Sequence, residues 1–150
     1  MTAKAQHEED LTDLLARRWE QVSRKVTDLA DEFPADELES KPLAGIRSLG
    51  EVLRHIAFWN QYVVDSLRGK NADDTANELP RSAYPMKAAV LEALKQSSED
   101  VVRALHDRKS PLDSKTVELL VTFIEHTSEH YGQLAVYARF KGIVPPASRT

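Results

Sequence analysis

The run from Ser48 to Val63, SLGEVLRHIAFWNQYV, has both a start signal and a period. Ser48-Leu49-Gly50-Glu51 matches a capping box, in which the Ser hydroxyl and the Glu carboxylate take up backbone N–H groups that a helix leaves free in its first turn. Val52, Leu53, Ile56, Trp59 and Val63 then fall on one face of a helix, and Gly69 is placed to end it. An amphipathic helix of this length has to bury its apolar face against other elements, so the neighbouring segments decide the fold.

Upstream, PADELESKPLAGIR (34–47) carries two prolines and a glycine and reads as a long connection. Before it, Leu11, Leu15, Val22, Val26, Leu29 and Phe33 form a second helical stripe, stopped at Pro34. On the other side, KNADDTANELPRS (70–82) is polar and is expected to be the most mobile loop of the chain. Pro85 suits the first turn of a third helix, with the stripe Met86, Val90, Leu94, Val101 and Leu105 and with Ser97 in the same row. Ser110-Pro-Leu-Asp113 is a further capping signature, opening the fourth helix or a turn just before it. That helix runs to about Lys141, where Gly142 and Pro145-Pro146 supply the stop. No segment reads as a strand. Four amphipathic helices predict an all-α fold, an antiparallel four-helix bundle forming a single domain over residues 1–150. The long connections leave helix order and handedness open.

Composition narrows the functional classes. The 150 residues are 29% charged and 41% hydrophobic, with a formal net charge of −4. Lysines and arginines are scattered among acids, so the electrostatic footprint of a nucleic-acid binder is missing. The absence of cysteine removes disulfides, thiolate zinc sites and a cysteine nucleophile. The opening MTAKAQHEED is too polar for a signal peptide, and no apolar run is long enough for a bilayer. A cytoplasmic protein without membrane or nucleic-acid partners is the expectation.

Five histidines remain to be sorted: His7, His55, His106, His126 and His130. His126 and His130 are four apart in the last helix and point the same way. Their row includes Leu119, Phe123 and Tyr137, bordering Glu129 and Gln133. His55 has a similar setting on the Ser48 helix, in a row with Glu51, Trp59 and Tyr62. Bringing the two flanks together would gather three imidazoles at one point. Three neutral nitrogens suit a zinc-like ion and leave one coordination position open. By itself an H-x-x-x-H pair is a weak metal signal, more often a pair of ordinary hydrogen-bonded or surface histidines, and the Glu of a zinc-protease H-E-x-x-H helix is missing. His7 lies in a polar segment and His106 near a helix C-terminus, where partial positive charge suits the dipole; neither is assigned to the site.

Taken in order, three motifs resemble the DinB-like (DinB/YfiT-type) family of helical-bundle proteins. They are Ser48-x-x-Glu51-x-x-x-His55, His126-x-x-x-His130-x-Gly132-Gln133, and Arg139-x-x-Gly142-x-x-Pro145-Pro146-x-Ser148-Arg149. The resemblance implies a divalent metal, zinc or nickel, on His55, His126 and His130. It also implies a metalloenzyme acting on a small-molecule substrate, of the thiol-dependent S-transferase or hydrolase type, with a low-molecular-weight thiol such as bacillithiol or mycothiol as cosubstrate. A homodimer is implied as well, and the apolar breadth of the fourth helix suits one. Around the ligands, Glu51 is a cap or a group contacting the site, and Gln133 is a holder of water or ligand or a surface residue. Trp59 and Tyr62 pack or line the pocket. Gly132, costly inside a helix, is expected to face a closely packed helix, and the tail GIVPPASR to dock on the bundle. The alternative is a non-catalytic, stress-related metal-binding or interaction scaffold whose 70–83 loop meets a partner.

Overall fold

Three of the four helices begin where a side chain takes up a free N–H group. In the computed structural model, which describes residues 10–150, the helices are α1 (Leu11–Asp31), α2 (Leu49–Leu67), α3 (Lys87–His106) and α4 (Ser114–Phe140). Asp10 caps α1, and Asp113 caps α4 by accepting from the Thr116 N–H at 2.7 Å. The capping box of α2 is complete: Ser48 Oγ accepts from Glu51 N–H, and Glu51 accepts from Ser48 N–H at 2.6 Å. Ser110-Pro-Leu-Asp113 is therefore the turn before α4, with only its last residue acting as cap. Among the described residues there is no strand, and no helix is long and apolar enough to cross a membrane.

The third helix starts later than Pro85 suggested. Met86 is its N-cap, without a side-chain cap bond, so Pro85 lies outside the first turn. Met86 is 67% exposed and leaves the core stripe to Val90, Leu94, Val101 and Leu105. Leu11 is likewise exposed on α1, whereas Trp19, not in the expected stripe, is buried there. Ser97 is buried in its row, giving its hydroxyl to Leu94 O and accepting from Asn60.

Each helix has two close neighbours. α1 and α2 each pack on α3 and α4, so α1/α2 and α3/α4 lie across the diagonals. Directions follow from end-to-end contacts. Lys87, opening α3, donates to carbonyls of Asp31 and Phe33 past the end of α1, while His106 at the far end meets Asp13. α1 and α3 are therefore antiparallel. α2 and α4 are antiparallel too, with Trp59 on Phe123 and Tyr137 on Arg47. The two antiparallel pairs lie side by side. The long 68–86 connection carries the chain back, so α2 and α3 run in the same sense: Arg54 meets Tyr84, Asn60 meets Ser97, and Leu67 meets Arg108.

Two features pin the connections to α2. Gly50 N–H donates to Leu38 O at 2.7 Å, and a Cβ on Gly50 would stand 2.9 Å from Glu39 Oε1 and 3.0 Å from Leu38 O. No larger residue fits there without moving the 34–47 segment. One turn on, Arg54 is fully buried. Its guanidinium forks onto Glu39 at 2.8 and 3.0 Å and donates to Tyr84 O at 3.2 Å. A buried charge of this kind needs its partner, because an uncompensated one is strongly destabilising. The C-terminal tail docks as expected: Pro145 is buried and Arg149 pairs with Glu32 on the α1 side at 2.8 Å.

Gly132 does not behave as expected. A Cβ there would meet nothing within 4 Å, so no helix of the chain approaches it closely.

Candidate metal centre

α2 and α4 run antiparallel with their His-bearing flanks facing, which brings residues 55, 126 and 130 together. One ring nitrogen from each lies within 4.8 Å of the others. His55 Nε2 and His126 Nε2 are 2.9 Å apart, and the three ring centroids are 4.6–4.9 Å apart. No carboxylate belongs to this group among the described residues. His106 pairs with Asp13 at the α1/α3 end. His7 lies outside the described residues.

Hydrogen bonds settle which nitrogens face inward. His55 Nδ1 is 2.6 Å from the carbonyl oxygen of Asn77. A carbonyl only accepts, so Nδ1 carries the proton and Nε2 presents its lone pair. On α4 a chain of hydrogen bonds fixes the tautomer. Tyr137 O–H donates to Arg47 O at 2.8 Å, so Tyr137 Oη accepts from Gln133 Nε2 at 2.6 Å. Gln133 Oε1 is then the atom 2.8 Å from His130 Nδ1, which must donate to it. His130 Nε2 is left with its lone pair. Metal-binding histidines commonly have the remote nitrogen tied in this way.

Electrostatics favour neutral rings. Burial pushes His55 down from 6.5 to about 4, against the opposing effect of the Asn77 bond. Burial and the other two imidazoles push His126 down to about 4 as well. His130 is lowered by burial, partly offset by Gln133. The positive charge of Arg47 lowers all three. Neutral imidazole is the ligating form.

The donors fit a divalent ion of the zinc type. Ligation at about 2.0–2.1 Å in a tetrahedral site puts nitrogens about 3.3–3.4 Å apart, a spacing these side chains reach with small movements. The cluster could hold a metal ion on three protein nitrogens.

The surroundings differ in part from expectation. Glu51 is committed to its cap and to Lys41 at 3.3 Å. Gln133 serves His130 and Tyr137. Trp59 stacks on Phe123, with centroids 5.4 Å apart, and both rings lie edge-on to His126. On their far side Trp59, Tyr62 and Phe123 line a cleft of about 680 Å³, with Leu119, Lys70 and Lys115 also on its wall. Three residues were not anticipated. Asn77 holds His55 from within the loop expected to be mobile, Arg47 brings positive charge, and Tyr137 completes the chain to His130. Only Tyr137 had a sequence signal, its place in the His126 row.

A helical bundle with imidazoles converging from facing helices defines a class of proteins with a metal-compatible site in the bundle. Within that class, the profile of the DinB superfamily matches residues 18–134, a span containing all three histidines. The chain belongs to that superfamily. No curated protein matches it.

Proposed function

We propose that the protein is a metalloenzyme that holds one divalent ion, zinc or nickel, on His55, His126 and His130, and uses it to transfer a low-molecular-weight thiol to a small electrophile. The observation that carries this reading is the pair of fixed tautomers: Asn77 and Gln133 each take the remote proton, turning the lone pairs of His55 and His130 toward His126. Three protein donors leave a position open, whereas a structural site is normally closed by a fourth.

A divalent ion bound there supplies Lewis acidity, lowering the pKa of a thiol or water that takes the open position. The protein contributes the rest. Trp59 and Phe123 pack edge-on against His126 on one side of the site. Among the described residues the Arg47 side chain has no ion pair or hydrogen bond, and its charge reaches all three imidazoles. That charge favours an anion, and a thiolate more than a neutral water. In the transfer, the thiol gives its proton to solvent, its sulfur forms a bond to the electrophilic carbon, and the leaving group departs with the bonding pair. Without cysteine, the chain takes its sulfur from the cosubstrate. A homodimer belongs to the same reading. α4 exposes Val121, Val136 and Phe140 on the side where Gly132 has open space. A cytoplasmic site of action agrees with the need for reduced thiols.

The test uses untagged protein loaded with zinc or nickel, a bacterial low-molecular-weight thiol, and monochlorobimane as electrophile. Turnover by the wild type, lost in His126→Ala, supports the transferase. Metal uptake with no turnover of any thiol or ester probe replaces it with the scaffold reading.

A further inference from the structure

Asn77 is the described non-glycine residue with a positive φ, 62°. Asn is one of the few side chains that enters this region at low cost. The conformation has a consequence. The backbone carbonyl of Asn77 meets His55 Nδ1 at 2.6 Å, while its side-chain Oδ1 accepts from Trp59 Nε1 at 2.9 Å. One residue thus holds a candidate ligand and the aromatic ring beside it, two positions a single turn apart on α2. The following residues lock the same geometry: Leu79 N–H donates to Arg54 O at 3.3 Å, and Glu78 lies 3.8 Å from the buried Arg54.

We propose that Asn77 is the positioning residue of the three-histidine site. Its left-handed backbone selects the Nδ1–H tautomer of His55, and so turns the His55 Nε2 lone pair toward His126 and His130. A free imidazole favours the opposite tautomer, so an acceptor at Nδ1 is required for this one. Through Asn77 the 68–86 connection and the availability of His55 become one state. The consequence for metal affinity rests on the proposed metal site; the tautomer assignment stands independently of it.

The experiment has two readouts. Ring ¹⁵N spectra of His55 in metal-stripped protein report the tautomer, and cobalt(II) titration followed by absorbance reports affinity. Wild type is expected as the Nδ1–H form. Asn77→Ala, which is strained at positive φ, should lose that bias and bind cobalt about 10-fold or more weakly, in the range seen when groups behind a ligand are removed. Asn77→Gly accepts the positive φ and keeps the carbonyl, so it should recover most of both effects while losing the Trp59 bond. This Gly rescue is what separates backbone positioning from general damage. An Nε2–H tautomer in the wild type overturns the proposal, as does an Asn77→Ala variant with wild-type tautomer and affinity. A wild type that takes up no cobalt but shows the Asn77-dependent tautomer sinks the metal reading and upholds the positioning role.

Discussion

At the scale of single residues, the site is built around imidazoles that burial keeps uncharged. His55 and His126 titrate at about 4 when folded, against 6.5 in the open chain. Between those values the unfolded chain binds more protons than the folded one, so stability rises with pH across the window and falls as pH drops from 6.5 towards 4. Thermal melts of metal-stripped protein should show a lower Tm at about pH 5 than at pH 7, with a smaller difference in His126→Asn. Equal melting at both values would mean that the rings reach water. The three histidines were legible in the sequence because helical spacing puts 126 and 130 on one face and puts 55 on a comparable flank. Asn77, Arg47 and the partners of Arg54 were not, since each acts across a long stretch of chain whose path no local pattern records.

At the scale of elements, the apolar period of α2 gave the helix but hid two residues that determine what lies against it. Gly50 looks like a weak helix residue within a capping box, and Arg54 like a polar break in an apolar run. Their roles appear only when the 34–47 connection is folded over them. Gly50→Ala gains about 1 kcal/mol of helix propensity but overpacks against Leu38 and Glu39, a cost of about 1–3 kcal/mol. Glu39 cannot simply swing away, because Arg54 holds it. Urea unfolding should therefore show net destabilisation, and an unchanged or raised midpoint would mean that the connection yields freely. The start of α3 was misplaced for a related reason: a proline fits just before a helix as well as in its first turn, and Met86 was counted as core by period alone. The 70–82 segment was read as mobile from its polarity. Residues 77–79 are instead tied to α2 by a carbonyl, an amide and a side-chain oxygen, none of which is visible in composition.

At the scale of the whole molecule, four stripes implied a bundle, while its order came from the two long connections, which lay two antiparallel pairs side by side. The outer side of α4 is where the chain leaves apolar surface uncovered, with Phe140 at 66% exposure and Val136 at 53%. If a second copy packs there, Phe140→Glu should convert a sedimenting dimer to monomer, and Gly132→Ala should weaken the dimer while leaving the isolated bundle folded. A wild-type monomer at tens of micromolar would rule the dimer out. A metal site joining α2 to α4 is tested by elemental analysis of untagged protein after zinc or nickel loading, beside His55→Ala and His126→Ala. One ion per chain is expected in the wild type and loss in both variants, since each removes a ligand from a different helix. Wild-type protein without metal, or variants that retain it, would contradict such a site.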